Sequence, residues 1–269
     1  MKPSFLLLAL ALSLVLLTPT TFAEGNAEEE DSTEKGQSTE AQANNPLANF
    51  KAFNLQNYYV PRLSEMDDQN ANTFWLRYAQ PMGKWLFRGS LPVSRVPTGT
   101  GTTTSGLGDF SAFLAYLVDT GNPAKSFGIG PQISLPTATE DETGTDKYQA
   151  GFATVYFDAS SPTVQWGGLL TWQTDIAGDD DRPDTSVLAL QPFYFFQLGK
   201  GLYFRGAPIW AFNLETNDYH VPVGLGIGKV FASGDTVYNV FVEPQFTILD
   251  RGPGQPEFQL FVGLNLQFK

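Results

Sequence analysis

Hydrophobic and polar residues alternate along most of the chain from Lys51 onward. Each alternating segment is roughly ten residues long, and Gly, Pro, Asp or Asn separates it from the next. Alternation with a period of two is typical of a β-strand with one apolar face. The pattern predicts twelve strands, at residues 51–61, 73–81, 84–94, 106–118, 126–137, 147–158, 163–176, 185–197, 201–213, 219–231, 236–249 and 257–268.

The predicted connections alternate between short and long. Met82-Gly83 is a short connection, for example, whereas 138–146 is a long one, and acidic residues concentrate in the long connections. Short periplasmic turns opposite longer external loops are typical of outer-membrane barrels, as is an even number of strands. Residues 51–269 are therefore predicted to be an all-β fold, a twelve-stranded antiparallel transmembrane β-barrel with short periplasmic turns and longer acidic external loops. The alternative is a soluble β-sandwich, whose core would take up the apolar faces.

Two segments precede the predicted barrel. Met1-Lys2, the apolar run 6–17 and Thr21-Phe22-Ala23 are typical of a secretory signal, so residues 1–23 are predicted to be a cleaved signal peptide. Residues 24–50 are rich in Glu and in small polar residues, which predicts a disordered acidic linker. A periplasmic tether or a plug of the barrel lumen is the alternative for this linker. An exported barrel of this type belongs in the outer membrane of a Gram-negative cell envelope.

Composition limits the chemistry that is available. The formal net charge of −12 argues against nucleic acid as a partner, because binding phosphates needs a basic surface. The absence of Cys excludes a disulfide scaffold and a thiolate metal site, and a single His excludes a cage of histidines. No metal and no cofactor are expected.

Polar residues on the second face of the predicted strands are expected to line the barrel interior, because a charge facing the middle of the bilayer costs about 2–4 kcal/mol. They could form a salt-bridged structural network, or they could select among solutes. The glycines Gly224, Gly226 and Gly228 fall on one face of a single strand, which predicts either extra room inside or a bend in the wall. The candidates for lumen selectivity are Arg77, Arg88, Asp109, Arg205 and Glu243.

An enzyme is the less favoured class. A membrane hydrolase would need a Ser nucleophile beside a His base, and no Ser lies two residues from His220, the only His. We therefore expect no catalytic residues. The acidic runs 140–142 and 179–181 do not match an EF-hand loop, so we interpret them as solvated loops.

The sequence Gly106-Leu107-Gly108-Asp109-Phe110, followed by Gly130-Pro131 and by 134–137 before an acidic loop, resembles a known family. These are the outer-membrane proteins linked to the meta-cleavage pathway of phenol degradation, and the likeness spans about residues 70–268. The resemblance implies a barrel of this size and the uptake of small, partly apolar compounds. It implies no binding residue and no particular substrate.

We therefore expect a passive outer-membrane channel for small molecules. The alternative is a non-conducting structural barrel with acidic surface loops. The expected partners are a small-molecule solute, outer-membrane lipid, lipopolysaccharide, and the barrel assembly machinery. That machinery would recognise the last strand, which ends at Phe268.

Overall fold

The computed structural model describes residues 39–66 and 68–268. These residues form the short helix α1 (Thr39–Asn44), a 3-10 turn at Asp141–Thr143 and fifteen β-strands. No helix within these ranges is long and apolar enough to cross a membrane. The strands are β1 (Lys51–Leu63), β2 (Ala71–Met82), β3 (Trp85–Pro97), β4 (Thr103–Leu107), β5 (Phe110–Val118), β6 (Lys125–Leu135), β7 (Lys147–Asp158), β8 (Val164–Gly178), β9 (Ser186–Gly199), β10 (Leu202–Gly206), β11 (Trp210–Asn213), β12 (Tyr219–Gly224), β13 (Gly226–Ser233), β14 (Thr236–Arg251) and β15 (Pro256–Phe268).

The strands form one closed antiparallel barrel, which confirms the predicted fold. Adjacent positions in the wall are occupied in chain order, and β1 pairs with β15 from Lys51 opposite Phe268 to Leu63 opposite Pro256. Three of the twelve predicted strands are interrupted, so that β4 and β5, β10 and β11, and β12 and β13 each share one position in the wall. Closure pairs the backbone groups that an open sheet would leave exposed to hydrocarbon.

Connections sort between the two ends of the barrel largely as predicted. Turns at 83–84, 200–201 and 234–235 lie at one end, which we call the short-turn end. Longer connections, such as 64–70, 136–146 and 179–185, lie at the other, which we call the long-loop end. The sorting is incomplete, because the 119–124 connection at the short-turn end is longer than the 252–255 connection opposite.

The outer surface of the barrel is apolar. Large hydrophobic side chains that point outward remain well exposed although the strands around them are regular, and a soluble protein would bury them. Hydrocarbon is the environment that such a continuous apolar surface requires. Examples from around the wall are Val93, Ile129, Ile133, Trp166, Phe204, Val223, Ile227 and Val242.

The inner face is polar towards the long-loop end and aromatic towards the short-turn end. Phe157, Phe193, Phe195 and Tyr203 are all at most 7% exposed and pack together inside the barrel. Period-two alternation predicts this inward position for Phe157 and Phe193, and the structure confirms it. The aromatic packing narrows the lumen near the short-turn end.

Residues 39–50 enter the lumen at the short-turn end, and we call them the N-terminal plug. Ala43 and Leu47 are 4% and 5% exposed, and they belong to the same apolar cluster as the aromatic side chains. Asn239 Nδ2 and Gln267 Nε2 donate to the carbonyl of Ala43 over 3.3 and 3.0 Å.

The prediction of a disordered linker over 24–50 is therefore wrong for 39–50, where the structure has a helix and a buried segment. The polar composition of this segment does not reveal that the barrel supplies the apolar side chains against which Ala43 and Leu47 pack. The plug alternative fits these residues. The rest of the predicted linker and the predicted signal peptide lie outside the described residues.

Candidate functional site

Three cavities adjoin one another along the lumen. The outer cavity, about 450 Å³, opens at the long-loop end, and the central cavity, about 170 Å³, lies below it. Trp75, Ser111 and Gln132 line both of them. The inner cavity, about 120 Å³, ends on the N-terminal plug, and it shares Arg77 and Arg88 with the central cavity. The lining side chains thus follow one path from the long-loop end to the plug.

Arg77 and Arg88 lie on adjacent strands at the junction of the central and inner cavities. Arg77 is on β2, and Arg88 on β3 pairs with Ala79, so the two side chains are diagonal neighbours on the inner face. Arg77 Nη1 donates a hydrogen bond to Gln56 Oε1, and its guanidinium lies 4.6 Å from the centre of the Trp75 ring. Within the described part of the chain, neither arginine forms an ion pair.

Arg205 and Glu243 form a buried ion pair. The distance from Arg205 Nε to Glu243 Oε2 is 2.7 Å, and Glu243 is fully buried. The Arg205 guanidinium also lies 3.5 Å from the centre of the Phe241 ring, a cation–π contact. The second carboxylate oxygen of Glu243 accepts the N–H of Ala207 at 2.8 Å and the amide of Gln245 at 2.6 Å. The charge of Glu243 is therefore balanced by Arg205, and both of its carboxylate oxygens already accept hydrogen bonds from groups of the barrel itself.

A row of glycines makes this pair possible. Arg205 pairs with Gly226 on β13, and Glu243 lies on β14 at the far side of that strand. A Cβ atom at Gly224 would stand 2.6 Å from Glu243 Oε1, and one at Gly228 would stand 2.3 Å from the Tyr203 ring. Side chains from β10 and β14 thus meet across positions of the intervening strand that carry no side chain. The sequence prediction that these glycines leave room inside is confirmed, and the strand is interrupted at Leu225.

Asp109 lies apart from the arginines, at the long-loop end. Its Oδ1 accepts the N–H groups of Thr137 and Ala138, and its Oδ2 accepts the N–H and the hydroxyl of Thr145. Four hydrogen bonds tie the loop 136–146 to the gap between β4 and β5. The predicted network across the lumen is therefore reduced to the single pair Arg205–Glu243, and Asp109 holds a loop.

We expect Asp109→Asn to loosen this loop. The NH₂ group of the new Asn side chain would face N–H or O–H donors that now bond to a carboxylate oxygen of Asp109. Hydrogen bonds worth about 1–3 kcal/mol would be replaced there by repulsion between donors. The loop contains Glu140 and Glu142, and cleavage by a Glu-specific protease added outside the barrel should therefore become faster. Asp119→Asn, in a turn at the short-turn end, is the matched control. Unchanged cleavage in the Asp109 variant would contradict this role.

Glutamines that the sequence places inside, but that are not among the selectivity candidates, line the outer and central cavities. Gln132 Nε2 donates to Gln173 Oε1, and Gln173 Nε2 donates to Gln149 Oε1, each over 2.6 Å. Gln149 in turn donates to the hydroxyl of Thr145 at 3.0 Å. Their common parity on β6, β7 and β8 is the signal that identifies them. Neutral amides offer donors and acceptors to a solute without a charge.

His220 lies where β12 pairs with β14, near the long-loop end. Its Nε2 is 2.8 Å from the hydroxyl oxygen of Thr247, and that hydroxyl donates to the carbonyl of Pro256. The hydroxyl is thus engaged with the backbone. The contact joins β12, β14 and β15 near their ends.

The closed barrel with an apolar exterior and a polar lumen defines the class of porin-like β-barrels. The sequence matches no protein-family profile and no curated protein. Two solved structures have the same fold. The COG4313 outer membrane channel from Pseudomonas putida F1 is 13% identical with a TM-score of 0.59, over 81% of this chain and 94% of that one. The NanC porin is 8% identical with a TM-score of 0.52, over 81% and 99%.

Proposed function

We propose that this protein is a passive outer-membrane channel for small, partly apolar molecules. The observation that carries the proposal is the continuous lining of the three cavities, in which residues shared by neighbouring cavities lead from the long-loop end to the plug. The lining is mixed. Glutamines and arginines offer hydrogen bonds, and Trp75, Phe113 and Leu169 offer apolar surface. A solute with both kinds of group fits such a path better than a strongly hydrated one.

The likeness to porins and channels supports the fold on which this proposal depends. The phenol-pathway resemblance adds phenolic compounds to the solutes worth testing. In this proposal residues 1–23 direct export, the strand ending at Phe268 engages the assembly machinery, and the loop acids face lipopolysaccharide. The protein has no catalytic role in it.

A second candidate is a non-conducting structural barrel. The N-terminal plug favours it, because Ala43, Asn44 and Asn45 line the bottom of the inner cavity and fill the short-turn end. The two candidates differ in one respect that is easily measured, which is whether solute crosses the barrel when the plug is absent.

Swelling of proteoliposomes tests the proposal. We expect methyl glucoside and phenyl glucoside to enter vesicles that contain the chain lacking residues 24–48. Phenyl glucoside should enter at least as fast as the smaller methyl glucoside, because its ring meets the apolar part of the lining. A trisaccharide should enter far more slowly. Heat-denatured protein in the same vesicles is the control. If neither glucoside enters with the full chain or with the shortened chain, the structural barrel is the better description.

A further inference from the structure

Positive charge in the lumen is concentrated at one level. Among the residues that the structure describes, no Asp or Glu lines the central or the inner cavity, whereas three arginines do. Arg205 is neutralised by Glu243 at 2.7 Å, so its charge is not offered to a solute. Arg77 and Arg88 are the two cavity arginines without such a partner within the described residues. The junction of the two cavities therefore carries an uncompensated charge from two guanidinium groups.

Two like charges on neighbouring strands repel each other, and an anion between them would relieve that repulsion. Each guanidinium has five N–H donors in a planar fork, which matches the two oxygens of a carboxylate. The bond to Gln56 engages one nitrogen of Arg77, which leaves further donors for a ligand. Gln191 also lines both cavities at this level, and its Nε2 donates one N–H to the carbonyl of Ala207 at 2.9 Å, which leaves a second N–H beside the arginines.

Apolar side chains line the central cavity beside the arginines, and Phe113 is the cross-strand partner of Arg88. Phe113 on β5, Leu169 on β8 and Ile209 between β10 and β11 line it, together with Ala112 and Ala189. A fully hydrated anion such as phosphate would gain nothing from these side chains and would lose water against them. An organic anion with a small apolar body would bury that body there. The charged and the apolar residues of the lining thus favour one chemical class of solute together.

We propose that the central cavity is a binding site for small organic acids. Arg77 and Arg88 bind the carboxylate, and Phe113, Leu169 and Ile209 contact the apolar body. The inference deepens the proposed channel function and rests on it, because it places a site of stated specificity on the permeation path. Asp109 and Glu243 take no part, since the loop 136–146 and Arg205 already occupy their oxygens.

Calorimetric titration of the full chain in detergent, with benzoate as the probe, tests the site. We expect saturable binding of benzoate, weaker binding of benzamide, which lacks the charge, and weaker binding of acetate, which lacks the ring. Arg77→Gln and Arg88→Gln should each weaken benzoate binding by at least about tenfold, as expected for the loss of a charged hydrogen-bond donor. Arg88→Lys keeps the charge but loses the planar fork of donors. Its affinity for benzoate should lie between that of the unaltered chain and that of Arg88→Gln.

Arg95→Gln is the matched control. Arg95 is on β3 like Arg88, but it bonds to Asn70 near the long-loop end and lines none of the three cavities. Benzoate binding should be unchanged in that variant. Slower gel migration after heating would show that each variant is folded beforehand, and Arg88→Lys serves if a glutamine variant fails this test.

Several outcomes would overturn the site. They are benzoate affinity that is unchanged in both glutamine variants, equal affinity for acetate or phosphate, and equal affinity for benzamide. Failure of the channel proposal looks different. Benzoate binding without any permeation of the glucosides would remove the channel and leave the site, whereas permeation without benzoate binding would remove the site and leave the channel.

Discussion

The Glu243→Gln variant is expected to unfold with a free energy about 3–5 kcal/mol below that of the unaltered chain, because it leaves the Arg205 guanidinium buried without its counter-charge. Arg205 is 5% exposed and Glu243 is fully buried, so little water reaches the pair to replace the lost partner. Urea unfolding in lipid vesicles, followed by tryptophan fluorescence, measures the difference. The effect is large because the same carboxylate also accepts the N–H of Ala207.

Two further variants separate the buried charge from a general loss of negative charge. Glu257→Gln removes an exposed carboxylate from the start of β15, and stability should change by less than about 0.5 kcal/mol. Replacing both partners, as Arg205→Met with Glu243→Leu, should recover much of the loss, because no unpaired charge remains. Equal stability of the Glu243→Gln and Glu257→Gln variants would contradict the role of the pair.

Removal of residues 24–48 is expected to raise the mean conductance of the barrel in planar bilayers by at least about tenfold. Among the described residues, the side-chain hydrogen bonds that hold the plug include those from Asn239 to Ala43 and Asn44, from Gln267 to Ala43 and from Asn45 to Ser126. At about 0.5–1.5 kcal/mol each, together with the burial of Leu47, they would keep the open population at a few per cent or less. Single-channel recording of both chains makes the comparison.

A reversible cross-link provides the control for the plug. The chain has no Cys, so Asn45→Cys with Ser126→Cys creates a single pair of thiols. The two native side chains are in contact, with Asn45 Nδ2 3.0 Å from Ser126 Oγ. A short reducible bis-thiosulfonate reagent should hold conductance at its lowest level, and a reductant should restore the level of the untreated protein. Equal conductance of the full-length, shortened and cross-linked chains would show that the plug does not limit flow.

Strand number and the direction of most side chains could be predicted from the sequence, because a period of two fixes the face of each residue. Gln149, Gln173 and Phe157 all point inward as their parity requires. Parity says nothing about height along the barrel axis, however. Asp109 shares the inner face with Arg77 and Arg88, yet it stands at the long-loop end and bonds to Thr137 and Thr145. Register between distant strands decides which charges meet.

The sequence analysis gave the N-terminal plug only as an alternative to a disordered linker, for a different reason. Residues 39–50 carry few large apolar side chains, so that their own composition cannot offset the entropy of ordering them. The apolar surface that buries Leu47 belongs to the barrel, and Gly128 lets Leu47 approach the wall closely. The sequence of residues 39–50 by itself shows neither the apolar surface of the barrel nor the space at Gly128. Only the closed wall reveals that the segment has a place to bind.

The glycine row on β12 and β13 restricts how the pore could be redesigned. Gly224 and Gly228 add no side chain of their own to the inner face, and the side chains of Glu243 and Tyr203 lie directly over their backbone. The glycines have no side chain that could be shortened. A wider pore would therefore require smaller side chains on other strands of the barrel. Adding even one methyl group to the row would displace Tyr203 or Glu243. Gly224, Gly226 and Gly228 therefore have to remain glycine in any variant with an enlarged pore.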